Sequence, residues 1–268
     1  MSQQQPPEPG TEQRPGRAVL EVDGHVATLT IDNPPLNIIT AEVRRDLHRA
    51  LDEIEQRGDI RALIVTGQGT RAFCAGADLA EEADLTPETV RQFLEEDNGV
   101  YDRIAAMPFP SIAAINGHCM GGGLELALAC DLRIAAEDAK LRAAGVRIGL
   151  VVSTTRLVLL VGLAAASDIV LTGRTFTGAQ ACELFVVTRT SPAAELRERA
   201  KELAEEIASR APLAVARAKV SMQEAMELSF AEAYARELDH FVALSDTEDH
   251  KHAIDAFFRR ETPQFKGK

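Results

Sequence analysis

Two glycine-bearing stretches and one carboxylate have spacing that can do chemistry. In HCMGGGLELALACD, residues 118–131, three consecutive glycines, Gly121 to Gly123, precede an apolar run from Leu124 to Cys130, with Glu125 at its start. The run reads as a helix beginning near Leu124. Glycines lack a Cβ, so a ligand can come close to their N–H groups, and a helix start adds its positive dipole end. In TGQGTRAFCAGADLAEE, residues 66–82, Gly76 follows Phe73–Ala75, and Asp78 with Glu81 has the form of a capping box. That form predicts a helix from Leu79 and leaves main-chain N–H groups around Ala77 unpaired. Either stretch alone is equally a tight turn built for packing. Together they offer two N–H donors at two helix starts, which suits an enolate or a tetrahedral oxyanion. Losing one such donor costs about 3–4 kcal/mol of transition-state stabilisation. Glu125 then stands beside that point, either as a dipole partner or solvated residue of the helix start or as a group for proton transfer.

The surrounding elements must position these groups. VLEVDGHVATLTI, Val19–Ile31, reads as a hairpin around Asp23-Gly24, ended by NPP at 33–35. Val43, Leu47, Ala50, Leu51 and Ile54 recur at helical spacing from Ala41 to Gln56. ALIVTG (62–67), SIAAING (111–117) and LRIAA (132–136) are short apolar runs that read as buried strands. Strand and helix alternate, so the first half is an α/β layout with glycine turns where ligands bind. From about Pro192 the pattern turns helical. Leu196, Ala200, Leu203, Ala204 and Ile207 form one stripe, a second segment follows Pro212, and a third spans Ala231–Leu244. The predicted division is a disordered tail at 1–16, an α/β core at 17–191 and a helical region at 192–268, with FKGK as an extended end.

Composition narrows the function. A chain of 268 residues with 46% hydrophobic residues can bury a real core. A net charge of −12 argues against general nucleic-acid binding, but not against an anionic ligand held by a few local donors. Cys74, Cys119, Cys130 and Cys182 lack metal or redox spacing, so they read as free thiols in a reducing compartment. No hydrophobic leader is present, and no apolar run of 18–20 residues is uninterrupted. The expectation is a soluble, cytoplasmic protein with no membrane partner. His118 and Asp131 read as scaffold, and the Glu pairs at 81–82 and 95–96 as solvated faces.

FCAGADL, followed further on by INGHCMGGGLELALACDLRIA, resembles the enoyl-CoA hydratase/isomerase (crotonase) superfamily. So do NPPLNIIT, LTGRTFTGAQA at 171–181 and TEDHKHAIDAFFRRETPQFKG. The resemblance implies a crotonase-type spiral of ββα units with a C-terminal helical region, assembled as a homotrimer or dimer of trimers. It implies an acyl-CoA thioester substrate, with coenzyme A entering as part of the substrate and no separate cofactor or metal. Ala77 and Gly122 match the two oxyanion-hole donors. Ala75, Ala77, Asp78 and Leu79 match the stretch lining the coenzyme A channel, and Phe257 and Arg260 match a further coenzyme A contact, often made across a subunit boundary. Glu125 matches one of the two catalytic glutamates of the hydratases.

The second glutamate departs from the pattern. LRAAGVRIG, residues 141–149, aligns with a segment of the form F-x-x-P-E-x-x-x-G, so Gly145 stands where that glutamate would be. The glycine-rich loop that normally follows is replaced by LVVSTTRLVLLVG. Hydration of a 2-enoyl-CoA is the expected reaction, with Glu125 serving both proton steps in turn or working with a group that the sequence does not place. An isomerase or decarboxylase using the same oxyanion site, or a silent acyl-CoA-binding protein, are the alternatives. Arg142, Arg147, Ser153 and Thr154 in the altered segment read as surface or packing residues.

Overall fold

In the computed structural model, residues 15–268 are described; the N-terminal tail expected at 1–16 lies outside them up to residue 14. The chain runs β1 (Arg17–Asp23), β2 (Val26–Asp32), α1 (Ala41–Gln56), β3 (Ala62–Gly67), β4 (Ala72–Cys74), α2 (Leu79–Ala83) and α3 (Val90–Ala106). Next come β5 (Ser111–Ile115), β6 (His118–Met120), α4 (Gly122–Ala129), β7 (Leu132–Ala136), β8 (Lys140–Arg142), a 3₁₀ turn at Gly145–Ile148 and α5 (Thr154–Thr172). The remainder is β9 (Phe176–Thr177), α6 (Gly178–Glu183), β10 (Arg189–Ser191), α7 (Leu196–Ala208), α8 (Pro212–Glu227), α9 (Phe230–Ser245) and α10 (Glu248–Arg259).

β1 and β2 pair antiparallel from Arg17↔Asp32 to Asp23↔Val26, so the hairpin loop is Gly24-His25, one residue later than the DG reading. α1 has the predicted bounds. Thr40 caps it by accepting from the Val43 N–H, and the predicted apolar stripe is buried. The three apolar runs are β3, β5 and β7, at the centre of a six-stranded sheet ordered β1-β2-β3-β5-β7-β10. β3 pairs parallel with β2 and β5, and β7 parallel with β5 and β10, which is why these strands are apolar on both faces.

A second sheet, β4-β6-β8-β9, is built from strands of two or three residues, too short for any periodicity to reveal. β3-β4, β5-β6 and β7-β8 each give one strand to each sheet before the chain goes helical. That repetition is the ββα spiral the resemblance implied.

α7 departs from the predicted division. Its stripe, Leu196, Ala200, Leu203 and Ala204, is buried, and the helix packs on β3, β5, β2 and β7 as part of the α/β body. Four helices, not three, follow Pro192. The last three bury little within the chain, and Phe230, Phe241, Phe257 and Phe258 are exposed on them. Lys219 ties α8 to the body through a 2.8 Å ion pair with Asp131, which also accepts from Ser111 N and Oγ. The extended C-terminal end is tied back to α10 and to the body: Asp249 of α10 accepts from Lys266 N and Gly267 N, and Arg61 donates to the Phe265 carbonyl. α5 is long and apolar enough, by length and composition only, to cross a membrane. It carries Arg156 and Asp168, breaks at Gly162 (φ 76°) and packs on α4.

Candidate active site

The first loop leaves β4 and is pinned to the segment before α1. Ala75 N–H donates to the Leu36 carbonyl at 3.0 Å, and Ile39 N–H to the Gly76 carbonyl at 2.9 Å. Asp78 caps α2 by accepting from the Ala80 N–H at 2.9 Å. The capping box is only half made, because Glu81 does not reach back to its own helix. Its carboxylate accepts from the Ala41 N–H at 2.7 Å and from Arg44 at 3.4 Å, so it is a tether rather than a solvated face. Ala75, Ala77 and Asp78 are half-buried and Leu79 is exposed.

In the second loop, α4 starts at Gly122, two residues before the predicted start. Gly76 (φ 101°) and Gly122 bring the loops together. A Cβ on Gly76 would lie 3.1 Å from Gly122 N, and one on Gly122 would lie 3.6 Å from Ala77 N and 3.1 Å from the Tyr101 hydroxyl. On Gly123 a Cβ would sit 2.0 Å from the Cys74 carbonyl oxygen. Glycine is therefore required for the backbones to meet at this distance. Among the described residues, neither Ala77 nor Gly122 donates its N–H to a protein acceptor. The structure thus brings together the two amides that the sequence singled out, on two adjoining half-buried backbones.

Glu125 follows one helical turn on, its N–H bonded to the Gly121 carbonyl at 3.1 Å. Oε1 accepts from Arg156 Nε at 2.7 Å, and Arg156 Nη2 also donates to Asp102 at 2.8 Å. Oε2 is buried with no hydrogen-bond partner among the described residues. Beneath Gly122, Tyr101 donates to Asp97 at 2.7 Å; Asp97 in turn accepts from Arg44 Nε at 3.3 Å, and the Arg44 guanidinium lies 4.6 Å from the Phe93 ring centre. Burial, then the charge of Asp97, pushes the Tyr101 hydroxyl well above its ordinary range, so it stays a proton donor.

Sequence reading missed Arg44, Asp97, Tyr101, Asp102 and Arg156. For Asp97 and Tyr101 a signal existed, since Phe93, Asp97, Val100, Tyr101 and Ile104 form one helical stripe.

Gly145 lies in the 3₁₀ turn, where a Cβ would come within 2.7 Å of the Leu150 carbonyl oxygen and 3.0 Å of Val152 N. The wall is therefore folded around a glycine and presents no carboxylate there. Arg142 donates to Thr175 and Arg147 is exposed. Ser153 is buried at φ 63°, and its hydroxyl and that of Thr154 have no partner among the described residues.

Phe257 is exposed and Arg260 is the left-handed C-cap of α10. No hydrogen bond or ion pair among the described residues ties either to the two loops. Phe265, shortly after them, accepts from Arg61 just before β3, whereas the first loop leaves β4. His118 sits in β6. Cys74, Cys119 and Cys130 are buried core residues, and Cys182 is half-buried. No cluster of His, Cys, Asp or Glu that could hold a metal occurs among the described residues.

Comparison with known proteins gives a consistent result. The family model described as Enoyl-CoA hydratase/isomerase matches residues 21–268. A probable enoyl-CoA hydratase of Bacillus subtilis is 37% identical over 253 residues, covering 92% of this chain and 98% of that protein. The short-chain-enoyl-CoA hydratase of Clostridium acetobutylicum is 34% identical over 255 residues, covering 93% and 98%. The crystal structure of an enoyl-CoA hydratase from Bacillus anthracis superposes with a TM-score of 0.91 at 33% identity, covering 94% of this chain and all (100%) of that one.

Proposed function

We propose, from the premise that the chain belongs to the enoyl-CoA hydratase/isomerase family, that it adds water across the double bond of a 2-enoyl-CoA. The observation that carries this reading is the pair of unbonded amides, Ala77 and Gly122, on adjoining backbones with Glu125 one turn away. Both amides donate to the thioester oxygen and hold the charge that gathers there as the enolate forms.

Gly145 supplies no second carboxylate, so Glu125 acts twice. Its carboxylate takes a proton from water as the water oxygen bonds to the β-carbon, and the double-bond electrons move onto the thioester oxygen. The enolate then collapses, and the α-carbon takes the proton back from Glu125. Water is consumed, the carboxylate is regenerated, and no separate cofactor enters the balance. Ala75, Ala77, Asp78 and Leu79 line the path of the coenzyme A moiety. Phe257 and Arg260 are proposed to meet it from a neighbouring subunit of a trimer or dimer of trimers, which their exposure supports. Four free thiols support a reducing, cytoplasmic setting.

The test offers crotonyl-CoA, a 3-enoyl-CoA and a malonyl-type CoA to the purified protein and to Glu125→Gln. Hydration of crotonyl-CoA that falls about 10²–10⁴-fold in the variant, with substrate affinity kept, is the expected result. Turnover confined to the 3-enoyl or malonyl substrate would replace hydration with isomerisation or decarboxylation, and binding without turnover would remove catalysis altogether.

A further inference from the structure

We propose that Arg156 is a positioning residue that fixes the orientation of the Glu125 carboxylate that handles the proton. The inference rests on the role given to Glu125 above. Arg156 Nε donates to Glu125 Oε1 at 2.7 Å while its Nη2 donates to Asp102 at 2.8 Å, so one planar guanidinium is held from two directions. The three residues lie on α5, α4 and α3, and the pairing braces those helices across the site. Asp102 is largely exposed, whereas Arg156 and Glu125 are mostly covered, so the Glu125 contact is the better shielded of the two.

A glutamate has three rotatable side-chain bonds, so a carboxylate that must meet a substrate at one angle has to be held. With Oε1 held by a guanidinium, rotation of the carboxylate out of this geometry costs a charge-assisted hydrogen bond. Oε2 is buried and without a partner among the described residues, so the Arg156 contact alone sets the orientation of the carboxylate. The proton from water forms an O–H bond at this carboxylate, and that same bond breaks when the α-carbon is protonated. In a site with two acids, separate groups can take and give the proton. With Gly145 in place of one of them, a single carboxylate must face both carbons in turn. Holding it in place is the contribution assigned to Arg156, and Asp102 holds Arg156.

Crotonyl-CoA hydration by Arg156→Gln, Arg156→Lys, Arg156→Ala and Asp102→Asn, measured alone and on a Glu125→Gln background, tests this. Arg156→Gln is expected to lower kcat about 30- to 100-fold, the scale of a small misplacement of a reacting group, with KM within about threefold. Arg156→Lys reaches only one carboxylate and should fall between, about tenfold below the parent. Methylguanidinium should restore Arg156→Ala at least about tenfold. The deciding comparison is Arg156→Gln/Glu125→Gln, which should be no slower than Glu125→Gln alone, because Arg156 acts only through that carboxylate.

A merely structural ion pair would slow both backgrounds equally and would not respond to methylguanidinium; that result overturns the proposal. So does a parental kcat in Arg156→Gln. Should Arg156→Gln fail to fold, Arg156→Lys and Asp102→Asn carry the test, and parental kcat in both refutes it. A parental rate in Glu125→Gln would instead refute the reading of Glu125, so the two failures are separable.

Discussion

Replacing Arg44 by Met tests how the first loop is held. The Arg44 side chain is 7% exposed and so is that of Asp97, its partner at 3.3 Å, which places this ion pair in the interior. Removing one member of a buried pair costs about 3–5 kcal/mol, chiefly because the other charge is left uncompensated. Two features put Arg44→Met at the lower end. Asp97 keeps the 2.7 Å hydrogen bond from Tyr101, and the Met side chain retains the packing against Phe93. At about 3 kcal/mol, and about 2–4 °C per kcal/mol for a domain of this size, Tm falls by roughly 6–12 °C. Arg44→Met/Asp97→Asn removes the orphaned charge and should recover about 1–2 kcal/mol of that loss. Activity should fall with stability, because Glu81 loses one of the two contacts that tie α2, and with it Ala77, to α1. Thermal and urea unfolding of the two single variants and the double variant measures the cycle. A loss under 1 kcal/mol in Arg44→Met, or a double variant whose loss equals the sum of the singles, refutes the reasoning.

Gly123→Ala forces a methyl onto the Cys74 carbonyl oxygen, so it should cost about 1–3 kcal/mol and separate the two loops; a parental kcat would contradict the required backbone approach. Gly145→Glu does not restore a two-carboxylate site, because its Cβ meets the Leu150 carbonyl; it is expected to lower Tm without raising kcat for crotonyl-CoA, and a faster enzyme would contradict that. Burial pushes the Cys74 and Cys130 thiols up to about 12 and Cys119 well above its ordinary value, so all three resist alkylation in the folded protein at pH 8 while Cys182 reacts first. Unfolded thiols ionise near pH 8.5 while these stay protonated, so the unfolded state binds fewer protons and stability falls as pH rises through that window. Peptide mass spectrometry and unfolding from pH 8 to 10 check both statements.

The central strands, α1 and the two glycine loops were legible because each carries a local signal: an apolar run, a 3.6-residue period, or glycines against a helix start. β4, β6, β8 and β9 were not, since strands this short are specified by their neighbours in the second sheet. Glu81 has the local form of a capping box, yet Arg44 and the Ala41 N–H, brought close by tertiary packing, won its carboxylate. Gly145 was read as a missing acid, and the sequence gives no sign that the turn closes around it. Arg156 and Asp102 reach Glu125 from separate helices, a pairing across three elements that single-chain spacing does not encode.

The most direct measurement replaces the Gly76–Ala77 peptide amide by an ester, using the α-hydroxy analogue of alanine at position 77. This deletes one N–H and leaves every side chain in place. That N–H has no acceptor among the described residues, and only the Gly76 carbonyl, which accepts from Ile39, is weakened, so the stability change should stay within about 1 kcal/mol. The account predicts a fall of about 10²–10³-fold in kcat for crotonyl-CoA. A kcat within threefold of the parent would contradict it, because the thioester oxygen would then not be held by this amide.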